Sequence, residues 1–339
     1  MASMKEICSV SDFISNLRTL RENSTETIRF FRGHGDSGYK LEPSIYRHPS
    51  WIENENRIIN DALVNCPFDF ESNPTNFDKL VKLQHYGYPT RLLDLTNNAL
   101  VALYFAVSSG ADTDGEIIIF DIPNESVKYE NSDTVSILAA LGFCDINLKK
   151  YLDWKIQAEK KSKIYRDILL KLDSSDKSNQ NILLMMQIFE NLSVAGLSDN
   201  EKISGYALDK YLVPRKKIEI FNKFNEIAKL IHTIRMDKSY FQPIIDPDDL
   251  VKVIAVRAKF NNPRIIRQQG SFLIFGIGQN KSEQAQIPQD WIKTKNQKFI
   301  IKKNAKSKIL QELKYFGITK QTLFPELEAQ ADDIKNAYK

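Results

Sequence analysis

The chain has 339 residues, 42% of them hydrophobic and 27% charged, enough to bury a sizeable core in one large domain or two ordinary ones. Its 47 Lys and Arg against 43 Asp and Glu leave a net charge of +4, too mild to argue for nucleic-acid binding. Three scattered cysteines, Cys8, Cys66 and Cys144, exclude a Cys-rich zinc site and fit a reducing compartment.

No basic-then-apolar leader opens the sequence. The longest clean apolar run, Ala99 to Val107, falls far short of the roughly 20 residues that span a bilayer, so a cytoplasmic protein without a membrane partner is expected. Basic runs at Lys160 to Lys163 and Lys302 to Lys308 read as solvated faces.

In chain order, residues 10–22 read as a short amphipathic helix, with Phe13, Ile14, Leu17 and Leu20 at helical spacing. Thr27 to Phe31 reads as a buried strand ending at Arg32-Gly33, where Gly33, Gly35 and Gly38 predict a loop. Residues 51–83 read as helix, broken around Asn65-Cys66-Pro67 and Asn73-Pro74. Gly87 and Pro89 bar a clean helix through Thr96, which is expected to N-cap a buried helix from Asn97 to Ser109, with Gly110 at its end. Glu116 to Phe120 reads as a core strand.

Residues 124–245 change character, with helical patterns at Leu148 to Leu172, Asn181 to Leu192 and Ile218 to Arg235 between loops at Ser174 to Asn179 and Ser198 to Glu201. Strand character returns at Leu250 to Ala258, Ser271 to Ile277 and Phe299 to Lys302. Pro263 to Gly270 reads as a short helix, Ser307 to Phe316 as an amphipathic helix stopped by Gly317, and a last helix is expected from about Pro325. The order predicts an α+β fold with a mainly antiparallel sheet core, residues 1–123 and 246–328, a helical insertion, residues 124–245, and a C-terminal helix end, residues 329–339. No glycine-rich phosphate loop follows a strand, which disfavours a doubly wound nucleotide fold.

Chemistry concentrates in two blocks, Phe30-Phe31-Arg32-Gly33-His34-Gly35 and Leu83 to Thr96, each abutting an apolar segment. Polar groups held against a core must be paired or they cost free energy. Arg32 at a strand end is suited to clamp a phosphate or carboxylate, or to salt-bridge a buried acid such as Asp94. His85 and Tyr86 suit acid–base chemistry or stacking on a flat ring, or else a core histidine. Arg91 and Asp94, three apart, are expected to pair with each other or across to Arg32. Gln268, Gln269 and Ser271 flank a glycine before a strand and suit a sugar or amide, or a capped turn. The four histidines, His34, His48, His85 and His232, lack metal-ligand spacing, so no metal is expected, although His34, His85 and Asp94 remain open as a cluster.

The two blocks resemble the FRG-domain family. Phe31-Arg32-Gly33 matches its naming motif, and Leu41 to Arg47 its continuation. Gln84 to Thr96 with Ala102 to Ala106 matches its most distinctive stretch, Arg267 to Phe272 a later region, and Leu323 to Leu327 its ending. The resemblance spans most of residues 28–328, with the helical block poorly matched. It implies a bacterial effector in anti-phage defence or a toxin system.

A weaker similarity reaches the ADP-ribosyltransferases of the Arg-Ser-Glu type, with Arg32, Thr96 and Gln269-Gly270-Ser271 in the places of their three elements. That similarity implies an ADP-ribosyltransferase-like sheet core and NAD, with modification of a macromolecule. Arg32, His85, Thr96, Gln269 and Ser271 then form the catalytic set, with Gly33, His34, Tyr86, Arg91 and Asp94 as ligand contacts. Ser271 stands where those enzymes carry the glutamate that stabilises the transition state, a loss of about two to three orders of magnitude in rate. Glu116 and Asp94 are the acids available to substitute. The alternatives are a non-catalytic nucleotide- or protein-sensing module, with a protein partner on the helical insertion, and a nuclease, which keeps nucleic acid open as a partner.

Overall fold

The computed structural model describes residues 3–20, 25–145, 148–171, 208–259 and 262–327, with isolated positions beyond. Its strands are β1 (Ser3–Ile7), β2 (Thr27–His34), β3 (Leu92–Thr96), β4 (Gly115–Pro123), β5 (Val127–Tyr129), β6 (Val253–Arg257), β7 (Gly270–Phe275) and β8 (Gln297–Ile301). They form one sheet in the order β1-β8-β4-β2-β3-β7-β6-β5. The pairings are antiparallel except for the outermost, β1 with β8 and β5 with β6, which are parallel. The fold is therefore α+β on a mostly antiparallel sheet, as the element order predicts.

The helices are α1 (Val10–Thr19), α2 (Pro49–Glu53), α3 (Glu55–Asn65), α4 (Pro67–Phe70), α5 (Asn76–His85), α6 (Ala99–Val107), α7 (Asp133–Phe143), α8 (Tyr151–Lys171), α9 (Val213–Phe221), α10 (Asn225–Arg235), α11 (Pro263–Gln268), α12 (Lys306–Tyr315) and α13 (Lys320–Leu323). The helix expected at Asn181 to Leu192 and the loops at 174–179 and 198–201 lie outside the described residues, as does most of the chain past residue 327. Within residues 124–245, β5 joins the sheet edge beside β6, and α7 packs on α3, α5 and α10.

Period-two alternation divides the sheet between cores. Ile117 and Ile119 of β4 pack with α6, α12 and α1, whereas Ile118, Phe120 and Ile122 face a second cluster with Phe30, Leu93 and Trp291. Phe272 and Ile274 of β7 join a third cluster built on α5, α7 and α10. Burial on both faces explains why β4 reads as a continuous apolar run. No helix among the described residues is long and apolar enough to cross a membrane.

Two local expectations are corrected, and one strand forms that the sequence does not suggest. β2 does not stop at Arg32. It runs on to His34, with Arg32, Gly33 and His34 opposite Ile118, Ile117 and Glu116. Gly33 is there because α6 crosses close above it: a Cβ would sit 1.9 Å from the Ala102 carbonyl oxygen. Thr96 does not cap α6. Asn98 does, accepting from the amides of Leu100 and Val101, while Thr96 closes strand β3. Short edge strand β1 carries no clear period-two pattern, and it forms beside β8.

Candidate functional site

The central pairing of the sheet is also its thinnest. β2 and β3 share one residue pair, Phe31 with Thr96. Beyond it the strands part, and a cleft of about 320 Å³ opens between them, floored by the sheet and walled by α5, α6 and α11. Its size lies at the lower end of the range for small-molecule sites. Arg32 and Gly33 line it from β2, and Asp94, Leu95 and Thr96 from β3. Gln84 and His85 end α5 above it, and Arg264, Gln268 and Ser271 close the far side.

Arg32 spans the gap. Its Nη1 donates to the Asp94 carbonyl at 2.7 Å, and its Nε donates to His34 Nε2 at 2.9 Å. The Asp94 carboxylate is only a loose partner at 3.9 Å, with its side chain 63% exposed. No hydrogen bond from Nη2 is found among the described residues. Burial lowers the Arg32 pKa from its ordinary value, Asp94 offsets part of that, and Arg47 adds to it. A guanidinium in that state has more to gain from an anion than one already bound to a carboxylate.

His34 is buried behind Arg32 rather than in the cleft. Because its Nε2 accepts from Arg32, the ring is neutral with its proton on Nδ1, a buried atom that finds no partner. Burial, with Arg32 next, pushes its pKa down to about 3. Lys306 braces this strand end, its Nζ donating to the carbonyls of Gly35, Ser109 and Gly110 at 2.6, 2.8 and 2.6 Å.

The α5 end supplies His85 through a capping box at Thr75 and Asp78 that starts the helix. Gly87, at φ 82°, then turns the chain out of it. Gln84 donates to Asp94 Oδ1 at 2.9 Å and accepts from Thr90, so it holds the acid in place. His85 Nε2 lies 3.6 Å from Glu326, and burial followed by Arg264 lowers its pKa. Tyr86 is exposed and meets His85 edge-on at 4.9 Å between ring centroids. Tyr86 borders a neighbouring polar hollow of about 310 Å³ that shares Val81, His85 and Asn262 with the cleft.

Thr96 and Ser271 face the cleft with their hydroxyls engaged. Thr96 donates to the Gln268 carbonyl at 2.6 Å, and Ser271 to Asn97 Oδ1 at 3.2 Å. Gln269 is not among the cleft residues. It ends α11 in the left-handed region at φ 47°, and its carbonyl accepts from the Asn97 amide.

Arg91 is elsewhere altogether. It is fully buried and grips Glu55 with two charge-assisted bonds, Nε to Oε1 at 2.7 Å and Nη2 to Oε2 at 2.5 Å. It also donates to the Phe275 carbonyl at 3.0 Å. Burial works against its charge, but Glu55 outweighs that and raises its pKa. The expected pairing of Arg91 with Asp94 or Arg32 therefore gives way to a core ion pair. Leu92 pairs with Ile274 on the ladder, and Arg91 just before it donates into the strand end. Glu116 is also remote, buried and 3.2 Å from Lys298. Of the two acids proposed to substitute at position 271, only Asp94 lines the cleft.

Gln84 and Arg264, which line the cleft, and Glu326, which lies 3.6 Å from His85, are residues that sequence reasoning missed. Gln84 stood inside the distinctive block, and Arg264 sits in the Pro-started helix that was read correctly. Among the described residues no group of three or more His, Cys, Asp or Glu is arranged to hold a metal ion.

No curated protein and no solved structure matches the chain. A family model described as FRG domain matches residues 27–115, the segment that supplies Arg32, Gln84, His85, Asp94 and Thr96 to the cleft. Residues 27–115 thus carry an FRG-domain match, and the arginine of its Phe-Arg-Gly motif, Arg32, lies where β2 and β3 pair only at Phe31 and Thr96.

Proposed function

We propose that the cleft binds NAD and that the protein is an ADP-ribosyltransferase-like effector, modifying a macromolecule in bacterial anti-phage defence or a toxin system. The observation that carries this reading is Arg32, fixed by two hydrogen bonds on one side and with Nη2 left for a phosphate of the dinucleotide. Thr96 and Ser271 offer hydroxyl oxygens for the ribose, and His85, braced edge-on by Tyr86 from the neighbouring hollow, frames the base. Asp94 is the carboxylate on the cleft wall, and it takes the part of the missing glutamate. It stabilises positive charge developing on the ribose as nicotinamide leaves with the bonding electrons, and it takes the proton of the attacking acceptor. Calorimetry with NAD, and transfer of labelled ADP-ribose by wild type and Arg32→Ala, test this. Binding and transfer that depend on Arg32 support it, and neither in wild type removes it.

Ser271 favours a second reading, a sensor that binds the nucleotide without turnover. Its hydroxyl is committed to Asn97, and it carries no charge. Tight NAD binding with no nicotinamide release by mass spectrometry selects this reading. Nucleic-acid cleavage is less well supported, because His34 already serves Arg32 as an acceptor and is not on the cleft.

A further inference from the structure

Arg264 lines the same cleft as Arg32. One face of its guanidinium rests on the Phe324 ring, 4.4 Å from the centroid. That ring is itself wedged against Phe105 and Tyr104. The segment carrying it is pinned by Gln268, whose Nε2 donates to the Leu323 carbonyl at 3.1 Å. Stacking of this kind orients the planar cation and leaves its N–H edge for an acceptor.

An acceptor close to that edge belongs to the chain itself. Glu326 Oε1 lies 3.9 Å from Arg264 Nε and 3.6 Å from His85 Nε2. Neither distance is a hydrogen bond. The carboxylate thus sits between a guanidinium and an imidazole without bonding either, and its side chain is one-third exposed. Loose, partly solvated ion pairs of this sort contribute little stability and exchange readily.

We propose that Arg264 and His85 form a second anion subsite of the cleft, which the Glu326 carboxylate occupies as an internal stand-in until a diphosphate-bearing ligand displaces it. The inference rests on the reading of the cleft as a nucleotide site. With both Arg32 and Arg264 lining it, the cleft suits a ligand with two linked phosphates better than one with a single anionic group. Displacement moves Glu326 away while Phe324 stays seated, because Tyr104 and Phe105 hold the ring independently of the carboxylate.

Isothermal titration with inorganic pyrophosphate tests this on the full chain as wild type, Glu326→Gln and Arg264→Ala, with thermal melts confirming that each folds. Glu326→Gln removes the competing charge and is expected to tighten pyrophosphate about tenfold, while Arg264→Ala weakens it at least as much. Glu326→Ala repeats the gain if the glutamine variant melts early. Equal affinity in wild type and both Glu326 variants, or no effect of Arg264→Ala, overturns the inference. Parallel NAD titrations separate the two claims. NAD binding that needs Arg32 but ignores Glu326 and Arg264 leaves the nucleotide reading standing and sinks the subsite. A pyrophosphate response without NAD binding does the reverse.

Discussion

Arg32 donates from Nε to the imidazole of His34, two residues further along the same strand, at 2.9 Å. Residues two apart on a strand share a face, so the Phe-Arg-Gly-His spacing itself brings the two side chains together. Continuation of β2 through Gly33 makes this contact, and the loop expected from the glycines would not.

His34 buried and neutral predicts an acid-sensitive fold. Its folded pKa, about 3, lies below the ordinary 6.5, so its contribution is fully present above pH 6.5 and is lost as pH falls toward 3. The maximum loss is on the order of 5 kcal/mol for this group alone. His34→Gln keeps an acceptor for Arg32 and does not titrate. Denaturant midpoints measured from pH 7 to pH 4 should fall more steeply for wild type than for the variant, and parallel curves would exclude this role.

Gly33→Ala should be severely destabilising. The added carbon meets the Ala102 carbonyl oxygen at 1.9 Å and the Ala106 amide at 2.7 Å, both backbone atoms that cannot rotate away. Overpacking of this kind costs about 1–3 kcal/mol or more, and it pushes β2 and Arg32 off α6. Urea denaturation reads the loss, and a change under 0.5 kcal/mol would contradict the packing argument.

Arg91 and Glu55 form a pair whose loss is structural. Arg91→Met leaves Glu55 buried with only Lys281 nearby, at 3.7 Å, and should cost about 3–5 kcal/mol. Nucleotide affinity of the folded fraction should change less than twofold, since Arg91 does not reach the cleft. Melting temperature and calorimetry on the same preparation separate the two effects.

Gln269→Gly should stabilise the protein by roughly 0.5–1 kcal/mol, because glycine adopts φ 47° without the steric penalty of a side chain. Ligand affinity should be unaltered. A Gln269→Gly variant that loses binding would return this residue to the site.

Legibility followed the range of the interaction. Helices with their own caps and apolar stripes, such as α1, α5 and α12, were readable locally. So was β4, whose apolar run is buried on both faces. Gly33 was misread because its cause is a helix that crosses it from some seventy residues away, and a glycine in a strand carries the same letter as one in a turn. Arg32, His85, Asp94 and Thr96 came together as the two blocks suggested. Arg91 departed because its partner Glu55 lies in a different helix, with nothing in the spacing to mark it. Glu326 was invisible for the same reason, since it approaches His85 from the opposite end of the chain.

The central claim is that Arg32 anchors a nucleotide in the split between β2 and β3. Calorimetric titration of NAD into wild type and Arg32→Ala, with matched melting curves, addresses it most directly. The account predicts saturable binding to wild type and at least about a tenfold loss in the variant, the scale of one charge-assisted hydrogen bond. Equal affinity in two equally folded proteins would contradict it.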